Sequence, residues 1–188
     1  GNDEIYAGNG DDKVYGGNGD DSLFGGNGND QIVGGTGNDF ILGGNGDDQI
    51  MGEEGDDTIY GNAGNDTILG GAGNDRIEGN EGDDSILGEE GDDIILAGDG
   101  SDVIDGGAGD DYIEGGEGND NIRGGDGDDE ILGQEGVDII YGDAGNDVVN
   151  SGDDNDLVFG TNKKQSSVIS EVTETKLFSK LIDKIFPN

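Results

Sequence analysis

Aspartates that recur every nine residues are the groups in this sequence whose type and spacing could do chemistry. The interval never slips, and all 18 places of the series hold Asp. Carboxylates are hard oxygen ligands, and a strictly periodic series of them favours cation binding over acid–base catalysis at one centre. The series consists of Asp3, Asp12, Asp21, Asp30, Asp39, Asp48, Asp57, Asp66, Asp75, Asp84, Asp93, Asp102, Asp111, Asp120, Asp129, Asp138, Asp147 and Asp156.

The donor atoms available around these aspartates indicate which metal they would bind. Gly-rich turns offer backbone carbonyls, and the sequence has neither the His nor the Cys that zinc and softer metals prefer. Six to eight oxygens at about 2.3–2.6 Å suit Ca²⁺, whereas Mg²⁺ prefers a tight octahedron with retained waters. We therefore predict Ca²⁺ as the ion, and we expect no catalytic residue and no organic cofactor in the repeated segment.

The overall composition argues against an ordinary globular domain. The net charge is −38, only 29% of the residues are hydrophobic, and 43 residues are Gly. Low hydrophobicity combined with high net charge is typical of disorder, whereas a strict repeat is not, so we expect order that depends on a bound ligand. The acidic surface also excludes nucleic acid as a partner, because nucleic-acid binders need a basic one.

The nine-residue unit around each Asp predicts the elements that position it. In residues 16–24, Gly stands at the first, second and fourth places, Asp21 at the sixth and Leu23 at the eighth. Gly permits positive φ, so six residues can turn, and the remaining three suit a short strand. Two units make one coil of 18 residues. Residues 1–162 therefore predict an all-β, parallel β-solenoid of about nine coils.

Stacking of such coils brings together residues that are 18 apart in sequence. Leu23 should lie between Ile5 and Ile41 in one sheet, and Asp21 should lie beside Asp39 at one edge. Two carboxylates and the carbonyls of two turns then form one oxygen cage, which gives up to about 16 Ca²⁺ ions along the chain. Without a cation, the columns of like charge predict an unfolded or molten chain.

These units resemble a known calcium-binding repeat. Residues 25–33 read Gly-Gly-Asn-Gly-Asn-Asp-Gln-Ile-Val, which is similar to the RTX (repeats-in-toxin) nonapeptide G-G-x-G-x-D-x-U-x. The resemblance covers residues 1–162. It implies a right-handed β-roll that folds on Ca²⁺ in a secreted, extracellular bacterial protein exported by type I secretion machinery. Carriers of such repeats include cytolysins, proteases, lipases, alginate epimerases and large adhesins.

Several units depart from the repeat, and we expect strained or looser turns there. The first Gly is replaced by Ala7, Ala97 and Ser151, and the second by Glu53, Asn62, Asn80, Glu89, Gln134, Asp143 and Thr161. In the last turn Asp154 replaces the fourth Gly, which weakens the prediction of a site at Asp156. Val137 replaces a polar fifth residue, although Asp138 remains as a predicted ligand.

The tail of the chain differs in composition from the repeats. Residues 163–188 contain five Lys, three acids and no Gly. Apolar side chains recur at helical spacing and indicate a short helix, namely Leu177, Phe178, Leu181, Ile182 and Ile185. We predict a helical or irregular cap on the last coil, and the resemblance implies part of an export signal; the two roles are compatible. A helix lying on a membrane surface is a third alternative.

Three functions stay open at this point. The first is a Ca²⁺-driven folding and export module of a larger secreted protein. The second is an adhesive or surface-binding module, because the outward ninth place of the repeat is often apolar. The third is the C-terminal part of a secreted enzyme whose catalytic domain lies elsewhere. The sequence begins inside a repeat, so we expect a fragment, monomeric, whose contacts with membrane or host surfaces come from other parts of the protein.

Overall fold

Short strands follow one another along the whole repeated segment. The structure, a computed structural model, describes residues 1–160. Its strands are β1 Glu4–Asn9, β2 Lys13–Asn18, β3 Ser22–Asn27, β4 Gln31–Thr36, β5 Phe40–Asn45, β6 Gln49–Glu54, β7 Thr58–Ala63, β8 Thr67–Ala72, β9 Arg76–Glu81, β10 Ser85–Glu90, β11 Ile94–Asp99, β12 Val103–Ala108, β13 Tyr112–Glu117, β14 Asn121–Asp126, β15 Glu130–Glu135, β16 Ile139–Ala144, β17 Val148–Asn150 and β18 Leu157–Gly160.

The strands form two parallel sheets. The odd-numbered strands make one nine-stranded sheet in chain order, and the even-numbered strands make the other. One coil therefore consists of one strand from each sheet and two turns. Glu4 pairs with Ser22 and Lys13 with Gln31, so each coil takes 18 residues. The predicted all-β parallel solenoid of about nine coils is confirmed.

The strand register follows the aliphatic eighth place of the repeat. Ile5 pairs with Leu23, and Leu23 pairs with Ile41, in the odd-numbered sheet. Val14 pairs with Ile32 in the even-numbered sheet. Because a slip of one residue would turn every side chain to the opposite face, an unbroken aliphatic column fixes the register strongly. The stacking predicted from the sequence is confirmed.

The hydrophobic core is a narrow double column between the sheets. From Leu23 to Ile140, the eighth-place side chains are almost completely buried, and Ile5 and Val158 at the two ends are partly buried. Each such side chain contributes about 1.5–3 kcal/mol on burial. Ninth-place side chains stand on the outer faces, where Tyr6 and Tyr15 are exposed. Each strand thus contributes one large side chain to the core, and the core reaches its size only because the coil is repeated.

The strands are longer than the sequence predicted. Most span six residues and leave three-residue turns, whereas we expected three-residue strands and six-residue turns. Gly26 has a φ of 113°, yet it pairs with Gly8, and Asn27 pairs with Asn9. Because successive coils bend in the same way at their second Gly, their backbones stay parallel and hydrogen bonding continues through the bend. The bend therefore lies inside the strand.

The structure describes no helix in the repeated segment and does not test the predicted C-terminal cap. The predicted C-terminal cap in residues 163–188 lies outside the described residues. Residues 1–160 contain no helix, and so none there is long and apolar enough to cross a membrane.

Candidate metal centres

The predicted aspartates lie in the turns, at two opposite edges of the solenoid. Turns that leave an odd-numbered strand form edge 1 and carry Asp12, Asp30, Asp48, Asp66, Asp84, Asp102, Asp120, Asp138 and Asp156. Turns that leave an even-numbered strand form edge 2, which carries Asp21, Asp39, Asp57, Asp75, Asp93, Asp111, Asp129 and Asp147 and is preceded in the same column by Asp3. The structure therefore gathers the whole series into two straight columns.

One oxygen of each carboxylate links neighbouring coils. The N–H of Asp21 donates to Oδ1 of Asp39 at 2.8 Å, and the N–H of Asp12 donates to Oδ1 of Asp30 at the same distance. The same bond joins every successive pair in both columns, from the Asp3–Asp21 pair to the Asp138–Asp156 pair. The pairing of aspartates 18 residues apart thus has a direct geometric counterpart.

The second oxygen of nearly every carboxylate is buried without a partner. The Oδ2 atoms in question belong to Asp12, Asp21, Asp30, Asp39, Asp48, Asp57, Asp66, Asp75, Asp84, Asp93, Asp102, Asp111, Asp120, Asp129, Asp138 and Asp156. A buried carboxylate oxygen normally has a hydrogen bond, a cationic partner or a metal ion. A repeated orphan of this kind fits a ligand for a cation.

Main-chain carbonyls line the same spaces. A β carbon placed on Gly16 would stand 2.5 Å from Oδ2 of Asp21 and 2.6 Å from the carbonyl oxygen of Gly34. On the other edge, a β carbon on Gly25 would stand 2.5 Å from both Asp30 Oδ2 and the Gly43 carbonyl oxygen. Glycine at the first place therefore keeps open a small space that oxygen atoms from two successive coils share.

This donor set is that of a hard cation. Within residues 1–160, no three acidic side chains converge on one point, so carbonyl oxygens must complete any coordination shell. Carboxylate and carbonyl oxygens in a flexible arrangement are the ligands that Ca²⁺ takes, and no imidazole or thiolate is present in the sequence. The residues present fit Ca²⁺.

The burial and mutual charge of the aspartates in the two columns favour neutralisation of their carboxylates. Burial, together with the smaller effect of the charges of Asp84 and Asp48, raises the pKa of Asp66 to about 7, against a hydrogen bond from the Asp48 backbone that lowers it. Burial likewise raises the pKa of Asp75, Asp111 and Asp120 to about 7 and of Asp48, Asp57, Asp84, Asp93, Asp102 and Asp129 to about 6. Binding of a proton or of a metal ion would neutralise the negative charge of these buried carboxylates.

Sequence reasoning missed a second ladder, which runs beside the first. From Asn2 to Asp128, the fifth-place side chain of each turn accepts a hydrogen bond from the backbone of the following coil: Asn29 N–H donates to Asp11 Oδ1 at 3.0 Å, and Asp47 N–H donates to Asn29 Oδ1 at 3.1 Å. The signal was present, because Asp, Asn or Ser stands at every fifth place except Val137. Val137 donates to Asn119 but has no side-chain oxygen to accept the next bond.

The turns that lack the second Gly are strained, and most of them keep their pairing. Within residues 1–160 the non-glycine residues with left-handed backbone are Glu53, Asn62, Asn80, Glu89, Gln134 and Asp143, with φ between 61° and 81°. Five of these six residues stay in register, as Glu53 does with Gly71, whereas the pairing of β16 with β18 shifts between Tyr141 and Asp143. These turns are therefore strained, and the one at Asp143 is also irregular. Thr161 lies outside the described residues.

The ends of the columns differ in exposure. Asp3 is exposed, whereas Asp147 is buried. Asp156, which the sequence made doubtful, has the geometry of the other aspartates: its Oδ1 accepts from Asp138 N–H at 3.1 Å, and its Oδ2 is buried without a partner. Replacement of the fourth Gly by Asp154 leaves this arrangement intact.

Comparison with protein families agrees with this geometry. The family model described as RTX calcium-binding nonapeptide repeat (4 copies) matches residues 1–32, 24–59, 42–77, 60–95, 69–104, 87–122, 96–131 and 132–162. A comparison with curated proteins found no similar sequence. The matches together span the repeated segment and most of the chain. The chain therefore belongs to the RTX calcium-binding nonapeptide repeat family, and it is a calcium-binding β-roll module for multiple Ca²⁺ ions.

Proposed function

We propose that this β-roll is a Ca²⁺-triggered folding module, which supports the export and stability of a larger secreted bacterial protein. The chain would leave the cell unfolded through type I secretion machinery and fold outside the cell. The single observation that supports this best is the pair of columns of buried, unpartnered Oδ2 atoms. Such columns make the folded state costly without a cation and favourable with one.

The net charge of the chain and the small size of its core also support Ca²⁺-triggered folding. The chain carries a net charge of −38, and about 16 divalent ions would offset most of it. The buried aliphatic double column is thin, so its burial has to be assisted by ligand binding before the entropy of ordering the chain is overcome. Extracellular calcium modules bind with dissociation constants of about 10⁻⁴–10⁻³ M, which suits folding only after export.

We assign the calcium ligands to the series from Asp3 to Asp156. In each site, Oδ2 of one Asp would bind the ion together with first-place carbonyls, as the spaces beside Gly16 and Gly25 allow. Residues 1–162 would form the calcium-binding unit. Residues 163–188 would form a cap and carry an export signal, with positive charge next to an acidic roll.

This segment has a structural role in the proposal. Its carboxylates are periodic and engaged in the two ladders, and we assign no catalytic residue to it. If the full protein is an enzyme such as a protease, lipase or epimerase, catalysis would reside in another domain. The roll would then assist the export of that domain, because the roll folds as it leaves the export channel.

A row of outward side chains favours an adhesive role as a second candidate. On the odd-numbered sheet, Tyr6 and Phe24 stack with ring centroids 4.4 Å apart, and Phe40 lies 6.0 Å from Phe24 and 5.8 Å from Tyr60. Aromatic side chains at a surface are enriched where proteins bind partners. In this alternative, the row would contact a host or bacterial surface.

Far-UV circular dichroism during a CaCl₂ titration tests the proposal, with MgCl₂ at equal ionic strength as the control. We expect a cooperative change from coil to β structure with Ca²⁺ alone. At pH 7.5, β structure already present in EDTA, or induced equally by Mg²⁺, would overturn the calcium trigger. Replacement of Phe24 and Phe40 by Ser should leave this transition in place, whereas it should abolish surface binding if the adhesive alternative holds.

A further inference from the structure

Ser151 departs from the repeat at a place where the interior is tightly constrained. Within residues 1–160, Gly or Ala occupies every other first place, and Ser151 is the single polar side chain there. It stands in the column of edge 1, at the start of the turn that ends at Asp156. Its side chain is 1% exposed, so the hydroxyl is directed into the roll and away from solvent.

The Ser151 hydroxyl has no hydrogen-bond partner among residues 1–160. Oδ2 of Asp156, in the same turn, is also buried and unpartnered. Burying a hydroxyl without a partner costs free energy, which is why buried hydroxyls are normally satisfied. Two buried, unsatisfied oxygens in one turn point to a shared partner that neither finds among residues 1–160.

The geometry of the repeat shows where the Ser151 side chain leads. At the first-place glycines from Gly16 to Gly133, a β carbon would stand beside Oδ2 of the turn's own Asp and beside a carbonyl of the following coil, as at Gly25. Ser151 carries a β carbon at this place, as Ala97 does in the turn of Asp102, whose Oδ2 is likewise buried and unpartnered. A β carbon is therefore compatible with this arrangement of the Asp oxygens, and the buried Oγ of Ser151 branches from the side of the oxygen-lined space.

The terminal turn also differs in what can follow it. Elsewhere the turn 18 residues later supplies the carbonyl, as Gly43 does for Asp30. One coil beyond Ser151, residues 169–174 read Ile-Ser-Glu-Val-Thr-Glu and contain no Gly, so the repeat sequence that supplies this carbonyl elsewhere ends with the turn of Ser151.

We propose that the Ser151 hydroxyl is a ligand of a terminal Ca²⁺ ion, beside Asp156, in the place of the carbonyl that a following coil would supply. A neutral hydroxyl oxygen resembles a carbonyl oxygen in size and hardness, so it suits Ca²⁺. The substitution at the first place thus closes the column of sites at its C-terminal end. This inference rests on the proposed binding of Ca²⁺ by Asp156.

Peptide-resolved hydrogen exchange of the full chain across a CaCl₂ titration tests the proposal. For Ser151→Ala, we expect the Ca²⁺ midpoint for protection of residues 148–160 to rise about fivefold, the change expected for one neutral oxygen ligand. The midpoint for residues 58–81 in the same sample should not change. Ser151→Gly, which restores the repeat, should behave like Ser151→Ala.

Several outcomes would decide against the terminal ligand. An unchanged midpoint for residues 148–160 in Ser151→Ala would overturn it, and so would a shift seen only in Ser151→Gly, because packing of the β carbon would then be the cause. A shift of all segments alike would mean general destabilisation. Ser85→Ala, which removes an outward hydroxyl, should change nothing. Absence of Ca²⁺-dependent protection in every segment of the unsubstituted chain would instead refute the proposed function.

Discussion

The backbone N–H of Asp48 donates a 2.8 Å hydrogen bond to Oδ1 of Asp66 in the next coil, while Oδ2 of the same carboxylate is buried without a partner. One side chain thus has two separate tasks. Oδ1 joins two coils, and Oδ2 is available to a cation. This division explains why Asp fills every sixth place, since Glu would put its carboxylate one bond further from the neighbouring backbone.

Replacement of Asp66 separates these two tasks. Asp66→Asn can keep an oxygen that accepts from Asp48 N–H, but it removes the charge; Asp66→Ala removes both. We expect both variants to bind about one or two fewer Ca²⁺ ions, because Asp66 would contribute to the sites shared with Asp48 and Asp84. Asp66→Ala should also be the less stable of the two, by about 1 kcal/mol. Equilibrium dialysis with radioactive calcium gives the stoichiometry, and urea unfolding in saturating CaCl₂ gives the stability.

The control for this prediction is Asp47→Asn. Asp47 is exposed at a fifth place, and Asn already serves there in the second ladder, as at Asn29. Its stoichiometry should match that of the unsubstituted chain. If Asp66→Asn also binds the full number of ions, the assignment of the sixth-place aspartates as ligands is refuted.

Acid should partly replace calcium in the folding of the chain. Burial raises the pKa of Asp66 and Asp75 to about 7 in the folded roll, above the ordinary value that the unfolded chain keeps. The folded state then binds more protons than the unfolded state, so apo stability falls as pH rises through 6–7 and is recovered as pH falls toward 4. In EDTA, we expect the β signal in circular dichroism to grow between pH 7.5 and pH 5.

Two control measurements accompany this pH prediction. The titration stops above the isoelectric point of about 4.1, and sedimentation shows whether the chain is still monomeric there. A NaCl series at pH 7.5 tests screening alone, which should act much less on buried carboxylates than on exposed ones. A β signal that does not depend on pH in EDTA, or one that appears only with aggregation, would contradict the argument.

The sequence predicted what depends on periodicity and missed what depends on backbone hydrogen bonding. The nine-residue interval was enough to place Leu23 between Ile5 and Ile41, because a strict period allows only one register. Strand length was predicted wrongly, because glycine was read as a turn signal. In the roll, the bend at Gly26 is repeated at Gly8 and pairing continues through it.

The second ladder could not be predicted, and the sequence could not decide between strained and looser turns at the second place, for a related reason. The pattern shows that Asp or Asn recurs at the fifth place, and it does not show that Asn29 N–H faces Asp11. The usual rule assigns left-handed backbone to Gly, yet Glu53 and Glu89 adopt it. Neighbouring coils hold these residues in place, and that constraint is set by stacking and not by the local sequence.

Strain at the second place leads to a stabilising substitution. Glu89 has a φ of 81°, a left-handed conformation that costs a non-glycine residue about 1–2 kcal/mol. We expect Glu89→Gly to raise the free energy of unfolding in saturating CaCl₂ by about 1 kcal/mol, less what Gly gains in the unfolded state. Urea unfolding followed by circular dichroism measures the difference.

The neighbouring residue supplies the matched control for this substitution. Glu90 is also an exposed glutamate of β10, and its φ is not positive. Glu90→Gly should therefore lower the stability by about 0.5–1 kcal/mol, because Gly loses more entropy on folding. Equal effects of the two substitutions, in either direction, would show that φ at the second place does not store strain.

The interruption of the second ladder at Val137 can be repaired. The fifth-place residue one coil later is Asn155, and Val137 offers its N–H no acceptor, whereas Asn119 accepts from Val137 N–H at 2.8 Å. Val137→Asn would add the missing acceptor at an exposed position. We expect it to stabilise the last coil by about 0.5–1.5 kcal/mol, seen as slower hydrogen exchange at residues 151–160 in saturating CaCl₂. Val137→Ala removes the apolar side chain without adding an acceptor and should not slow exchange. If both variants slow exchange alike, the gain comes from the loss of an exposed valine, and the fifth-place ladder does not connect the coils energetically.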